Sequence, residues 1–277
     1  MNDIVLVKDL PCALKEAVVQ DLTQYTVAFL RLKSASDGDL ADLLGSGVLV
    51  SVGTKRAILT AHHVVEELPK AGRFGLFLDR TREPHTIDIQ GVAVVKIGRG
   101  TDDAVGPDLA AVLLAPQVAG AIGVKKTFYN LHSRRHQLLN NPPDLRDGVW
   151  CAQGFLDERT VVAPDSGGLG ATKYFYNFSG FGGPETSPQI GGHDYFDFPV
   201  SHEGRASSPA SWGGMSGAGL WQVPLKRQLD VLVHLAPLLS GILFYQWPTT
   251  ETECGVRGHG RRSLYEVAYN CISNGKP

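Results

Sequence analysis

The spacing of hydrophobic residues changes once near the start of the chain. Leu14, Val18 and Leu22 recur at intervals of four, which places them on one face of a helix. Beyond residue 24, short apolar runs alternate with polar residues and are separated by turn signals. We therefore predict a helical segment within 1–23, followed by a region made mainly of β-strands.

The predicted strands fall into two groups on either side of a polar segment, and a helix closes the chain. The first group is Tyr25–Leu32, Gly47–Val52, Arg56–Leu59, Gly75–Leu78, Gly91–Ile97 and Leu109–Leu114. The second is Val149–Gly154, Thr160–Ala163, Tyr174–Phe178, Tyr195–Val200, Ala218–Gln222, Val231–Ala236 and Ser240–Tyr245. Short strands at this spacing are typical of closed all-β units. The closing helix is predicted over Ser263–Ile272, with one face made of Leu264, Val267, Ala268 and Cys271.

The composition excludes several classes of protein. With 277 residues and 43% hydrophobic residues, the chain can bury a core and is not disordered over its length. A net charge of −2 provides no basic field for phosphates, so we expect no nucleic-acid partner. No apolar run approaches the roughly 20 residues of a membrane helix, so no membrane association is expected. Because the first residues lack a basic and then apolar leader pattern, we expect no secretory signal and a cytoplasmic location.

The cysteines and histidines do not form a typical metal-binding pattern. The four cysteines contain no C-x-x-C pair, so we expect no zinc site and predict reduced, buried thiols. His132 and His136 can share a helix face, but Arg134 and Arg135 between them indicate a solvated basic surface. We therefore expect neither a metal nor another cofactor.

Three segments carry the side-chain types that nucleophilic catalysis needs. They are Thr60–Val65, Pro107–Leu114 and the glycine-rich Gly213–Leu220. A serine hydroxyl needs an adjacent base, and histidine has a suitable pKa for that role at neutral pH. A buried carboxylate orients the imidazole, and glycines let backbone N–H groups turn towards an oxyanion.

These segments resemble the motifs of chymotrypsin-like serine proteases, and they occur in the family's order of His, Asp and Ser. The family's Thr-Ala-Ala-His, Asp-Ile-Ala and Gly-Asp-Ser-Gly are similar to Thr60-Ala61-His62-His63, Asp108-Leu109-Ala110 and Gly214-Met215-Ser216-Gly217. Gly45-Ser46-Gly47 and His63-Val64-Val65 resemble the bacterial Deg/HtrA branch, although no PDZ-like extension follows the catalytic unit. The resemblance covers residues 24–273.

The resemblance implies an all-β fold of two six-stranded antiparallel β-barrels with a short N-terminal helix and a C-terminal helix. The implied divisions are a helical preface at 1–23, a first barrel at 24–120, a crossover linker at 121–148, and a second barrel with the terminal helix at 149–277. The first barrel would carry His63 and Asp108, and the second would carry Ser216.

The resemblance also implies the roles of individual residues. Ser216 would be the nucleophile, His63 the base and Asp108 the residue that orients it. The N–H groups of Gly214 and Ser216 would form the oxyanion hole. His62 is the alternative base, and Asp102 and Asp103 are the alternative acids. Met215 replaces the family's aspartate before the nucleophile, so activation by a newly cut N-terminus is not expected.

Substrate specificity is predicted less directly, from residues expected around the primary pocket. The predicted substrate-binding residues are Ala210, Ser240, Tyr245, Gln246 and His259, and Leu239-Ser240-Gly241-Ile242-Leu243 resembles the strand that pairs with the substrate backbone. Ala210 at the expected pocket base leaves no carboxylate for a basic side chain, and Gln246 would narrow the pocket. An inward-pointing His259 or Arg257 would favour an acidic or amide side chain. Otherwise a small or apolar side chain is expected.

The predicted function is a serine endopeptidase acting on a protein or peptide substrate through an acyl-enzyme. An α/β-hydrolase esterase is a poorer match, because Ala218 stands where its motif needs glycine and its acid and histidine would have to follow Ser216. The remaining alternative is a latent or non-catalytic protease-fold module that needs an activating protein partner.

Overall fold

The fold is described from a computed structural model. It describes residues 7–33, 41–78, 84–164, 171–201, 209, 211–229, 231–247 and 253–275. Within these ranges β-strands predominate, and every strand pairing except one is antiparallel. The predicted all-β class, with a helix near each end of the described chain, is confirmed.

The first half of the chain forms one curled sheet. Its strands are β1 (Thr26–Arg31), β2 (Asp42–Val52), β3 (Lys55–Thr60), β4 (Arg73–Phe77), β5 (His85–Asp88), β6 (Val92–Arg99), β7 (Asp108–Leu114) and β8 (Tyr129–Asn130). Seven of them are hydrogen-bonded in the order β5-β4-β1-β2-β3-β7-β6, and β8 pairs in parallel with β2. Strand β7 is buried along its whole length, so Asp108 begins a strand in the protein interior.

The second half forms another antiparallel sheet, in the order β12-β9-β15-β18-β19-β14-β13. Its strands are β9 (Val149–Phe155), β12 (Asn177–Gly182), β13 (Gln189–Ile190), β14 (His193–Ser201), β15 (Gly219–Val223), β18 (Leu238–Gln246) and β19 (Glu253–His259). Two separate hairpins flank it, β10 (Val161–Pro164) with β11 (Ala171–Tyr174), and β16 (Leu225–Gln228) with β17 (Val231–His234).

Five short α-helices accompany the sheets in the described ranges. They are α1 (Cys12–Thr23), α2 (His62–Glu66), α3 (Pro116–Gly123), α4 (Leu131–Asn140) and α5 (Tyr269–Asn274). Leu14, Val18 and Leu22 of α1 are buried, as their spacing predicts. None of the described helices has the length and hydropathy needed to cross a membrane.

The buried face of the closing helix differs from the prediction. The chain is π-helical over Ser263–Ala268 before it continues as α5. A π-helix has a wider turn than an α-helix, which changes the residues that share a face. The buried apolar side chains are Leu264, Tyr265, Ala268 and Ile272, whereas the predicted Val267 and Cys271 are only half-buried.

One apolar cluster is continuous across both sheets. Val48 and Val50 of β2 belong to the same buried cluster as Trp221 of β15 and Ile242 of β18. Because side chains from both halves share this core, it fixes the two sheets, and the loops at their junction, relative to each other. The residues with catalytic character lie on these loops and at the adjoining strand ends.

Candidate active site

His63 and Asp108 form a direct hydrogen-bonded pair at the edge of the first sheet. Strand β3 ends at Thr60, and the short helix α2 brings His63 towards the first residue of β7. His63 Nδ1 lies 2.6 Å from Asp108 Oδ2, and the His63 backbone N–H donates to Asp108 Oδ1 at 3.0 Å. Asp108 is only 2% exposed, whereas the His63 side chain is 36% exposed. The carboxylate is therefore held inside while the imidazole remains open to a ligand.

The surroundings of Asp108 keep its carboxyl group ionised. Burial by itself would raise the pKa of Asp108. Hydrogen bonds from His63, together with the charges of His63 and Arg99, outweigh that effect and lower the pKa. Arg99 Nη1 lies 3.4 Å from Asp108 Oδ2, the same oxygen that faces the imidazole. An ionised carboxylate in this position accepts the Nδ1–H of His63 and leaves Nε2 free to accept a proton.

The alternative base and acids point elsewhere. His62 is buried, and its Nδ1 faces the carbonyl of Gly98 at 3.2 Å. The carboxylate of Asp103 is exposed and pairs with Arg99. Asp102 Oδ1 accepts N–H groups of its own turn, from Ala104 and Val105.

His259, predicted as a substrate-binding residue, lies behind Asp108 and is not among the described residues that line the cavity beside Ser216. The backbone N–H of Asp108 donates to His259 Nε2 at 3.0 Å, and the imidazole is fully buried. Burial, followed by the neighbouring His193, lowers the pKa of His259 to about 3, so the ring is neutral. Its ring centroid lies 4.7 Å from that of Phe244 and 5.2 Å from that of Tyr195. The motif analysis missed this contact because His259 is 151 residues from Asp108.

In the turn that carries Ser216, the backbone N–H groups of Gly214 and Ser216 have no hydrogen-bond acceptor among the described residues. The carbonyl of Gly213 accepts from Asp157 N–H at 2.9 Å, and the carbonyl of Met215 accepts from Ala218 N–H at 2.8 Å. In a trans peptide the N–H points opposite to the carbonyl. The N–H groups of Gly214 and Ser216 therefore point away from these internal contacts, as donors to an oxyanion would have to.

The backbone of Ser216 is tied to the first sheet, but its hydroxyl is not bonded to His63. Ser46 N–H of β2 donates to the Ser216 carbonyl at 2.7 Å. Within the described ranges, no hydrogen bond joins Ser216 Oγ to the imidazole of His63. Catalytic hydrogen bonds are often long in ligand-free structures and tighten when substrate binds.

A cavity of about 190 Å³ lies beside Ser216. Its wall includes the predicted residues Tyr245 and Gln246 together with Trp212, Met215 and Val256. Gln246 Oε1 accepts the backbone N–H of Trp212 at 3.0 Å, which fixes the amide at the wall. The described lining contains no ionisable side chain except the Tyr245 phenol.

The other predicted pocket residues are not brought into this wall. Ala210 lies outside the described residues. Ser240 is buried in a separate polar cluster, where its hydroxyl donates to the Leu238 carbonyl and accepts from Arg261. Arg257 is engaged by the carboxylate of Asp197 at 2.7 Å.

The described residues include no group of three or more His, Cys, Asp or Glu side chains arranged to hold a metal ion. The polar groups described at the junction are the His63 imidazole, the Asp108 carboxylate and the backbone of the Ser216 turn.

Comparison with known proteins gives structural neighbours of low similarity. No protein-family description matches the sequence, and no curated protein matches it. One similar structure comes from work on the coupled folding and binding of the intrinsically disordered Sesbania mosaic virus VPg protein. It has 14% identity and a TM-score of 0.42, with 95% of this chain and 93% of that chain covered. Another is a mutant of the tobacco etch virus protease, at 10% identity and a TM-score of 0.40, covering 90% and 79%.

Proposed function

We propose that this chain is a serine endopeptidase that hydrolyses peptide bonds through an acyl-enzyme. The observation that carries the proposal is the 2.6 Å hydrogen bond between half-buried His63 and buried Asp108, at the junction that also holds the Ser216 turn. The N–H groups of Gly214 and Ser216, which have no acceptor among the described residues, and the adjoining cavity support the proposal as the remaining parts that an acyl-transfer site needs. The resemblance to the Deg/HtrA branch rests on Gly45-Ser46-Gly47 and His63-Val64-Val65 alone.

In the proposed reaction, Ser216 Oγ forms a bond to the substrate carbonyl carbon, and its proton passes to His63 Nε2. The carbonyl oxygen becomes an oxyanion that accepts from the N–H groups of Gly214 and Ser216. The C–N bond then breaks, and His63 returns the proton to the leaving amine. Water attacks the acyl-enzyme by the reverse sequence, with His63 as base, and releases the acid and the Ser216 hydroxyl. Asp108 keeps the imidazole oriented and stabilises its charged form.

The cavity indicates an apolar side chain on the acyl side of the cleaved bond. Leu243, Val256 and Met215 supply apolar wall, and the described lining offers no carboxylate or ammonium partner. An unpaired charge placed there would lose its hydration, at a cost of several kcal/mol. We therefore expect cleavage after Leu, Met or Phe to exceed cleavage after Lys, Arg, Asp or Glu by about 100-fold or more in kcat/KM.

A peptide library read by mass spectrometry measures this preference, with Ser216→Ala protein as the blank. Cleavage after basic or acidic residues at comparable rates would contradict an apolar pocket while leaving the peptidase proposal intact.

A latent protease-fold module is the second candidate, and it also has a supporting observation. The Ser216 hydroxyl does not reach His63 through a hydrogen bond in the described structure. A protein partner that moved Ser216 towards the imidazole would then switch the site on.

Covalent labelling by a fluorophosphonate distinguishes the two candidates. Such a probe reacts with a serine that is activated by a base and placed beside an oxyanion hole. We expect intact-mass analysis to show one adduct on the wild-type protein and none on Ser216→Ala.

Ser133→Ala is the matched control, because Ser133 is an exposed serine on α4 away from the site, and it should retain the adduct. Failure of folded wild-type protein to react would refute an assembled active site. Reaction appearing only after a partner is added would favour the latent module.

A further inference from the structure

Ser46 connects the first sheet to the Ser216 turn through two hydrogen bonds and to strand β9 of the second sheet through a third. It is fully buried in β2, within Gly45-Ser46-Gly47. Its N–H donates to the Ser216 carbonyl at 2.7 Å. Its hydroxyl donates to the Gly214 carbonyl at 2.7 Å and accepts from Phe155 N–H of β9 at 2.8 Å. One serine therefore contacts the backbone on both sides of the proposed nucleophile position and also the second sheet.

The bond from the Ser46 hydroxyl acts on the peptide between Gly214 and Met215. This peptide lies between the two proposed oxyanion donors, the N–H groups of Gly214 and Ser216. The Gly214 carbonyl belongs to the peptide between Gly214 and Met215, and its orientation fixes the rotation of the peptides on either side. Gly214 has φ +88°, a conformation that glycine adopts readily but that needs outside contacts to persist as a single form. The Ser46 hydroxyl supplies such a contact from a different sheet.

The carbonyl of Ser46 is fixed in turn. Thr60 Oγ1 donates to it at 2.7 Å, and Thr60 ends the strand that leads to His63. The same residue thus links the segment before the proposed base to the turn with the proposed nucleophile. Local sequence gives no sign of this role, because 168 residues separate Ser46 from Gly214.

We infer that Ser46 is a positioning residue that holds the Ser216 turn, with its two oxyanion donors, in place without proteolytic activation or a partner. This inference rests on the proposed peptidase function. It adds that the turn is held by the junction between the sheets, which makes an aspartate at the Met215 position unnecessary.

Ser46→Ala removes the hydroxyl and leaves the Gly214 carbonyl and the Phe155 N–H without their partner. A small displacement of oxyanion donors weakens binding of the transition state more than binding of the substrate. We expect kcat and the rate of fluorophosphonate labelling to fall by about 100-fold, with KM changed less than threefold.

Two further variants separate positioning from general stability. Ser46→Cys fills the same space with a weaker hydrogen-bonding group, so its labelling rate should stay well below that of the wild type. Thr26→Val removes another buried hydroxyl, which donates to the Leu22 carbonyl at 2.9 Å, and should lower the thermal midpoint without slowing labelling. All rates are measured at a temperature at which circular dichroism shows each variant to be folded.

The outcomes are distinguishable. Slow labelling of both Ser46 variants, with normal labelling of Thr26→Val, supports the inference. Wild-type rates in Ser46→Ala overturn it and leave the peptidase proposal standing. Recovery in Ser46→Cys also overturns it, since filling the space would then be the cause. A wild-type protein that does not react overturns both, because the turn would not be competent by itself.

Discussion

Asp108→Asn is expected to lower kcat/KM by about 10⁴-fold while the protein remains folded. The Asp108 carboxylate accepts the backbone N–H of His63 through one oxygen and faces its Nδ1 through the other. An asparagine that keeps the first contact presents its NH₂ group to Nδ1. The imidazole must then carry its proton on Nε2, where it cannot accept the proton of Ser216. Steady-state peptide cleavage, using a substrate found in the library, measures the loss.

Asp103→Asn is the matched control, because Asp103 is the other aspartate that contacts Arg99. It is exposed and accepts a 2.9 Å hydrogen bond from the same guanidinium, but it does not reach His63. Its kcat/KM should stay within about twofold of the wild type, since exposed ion pairs contribute little. Equal losses in the two variants would show that Arg99, and not the orientation of the imidazole, controls the rate.

Strands with strong apolar patterns could be predicted from sequence, whereas short or polar strands could not. Strand β7 is buried throughout and was predicted to within one residue. The missed strands include β5, β13 and β16, which are short and mostly exposed. These strands are held by hydrogen bonds to their neighbours in the sheet, so the pattern of their own residues gives little indication that they form strands. The predicted strand at Tyr174–Phe178 instead spans the break between β11 and β12.

In the candidate site too, residues within short motifs could be predicted from sequence, whereas contacts between distant segments could not. His63, Asp108 and Ser216 stood out because each lies in a short motif with characteristic neighbours. His259 and Ser46 were missed in their structural roles because their contacts join segments more than 100 residues apart. Ser240 was predicted to bind substrate because Leu239-Ser240-Gly241-Ile242-Leu243 resembles the strand that pairs with the substrate backbone. The structure instead brings Tyr245 and Gln246, further along β18, to the cavity.

Gly217, the residue after the proposed nucleophile, lies tightly against strands β2 and β3 of the first sheet. Its φ is +88°, and a Cβ atom there would lie 2.0 Å from the Ser46 carbonyl oxygen and 2.3 Å from Thr60 Oγ1. Its N–H also donates to the Leu243 carbonyl at 2.7 Å. The backbone on both sides is therefore fixed, and a methyl group cannot be accommodated by rotating a side chain alone.

Gly217→Ala is accordingly expected to destabilise the fold by about 3 kcal/mol or more, combining left-handed backbone strain with overpacking. Gly72→Ala measures the backbone strain alone, because Gly72 has the same φ of +88° and no atom within 4 Å of an added Cβ. It should cost only about 1–2 kcal/mol. Urea unfolding followed by tryptophan fluorescence compares the two variants. If Gly217→Ala were no less stable than Gly72→Ala, the approach of β2 to the Ser216 turn would be looser than these distances require. The Ser46 contact would then be too weak to hold the turn.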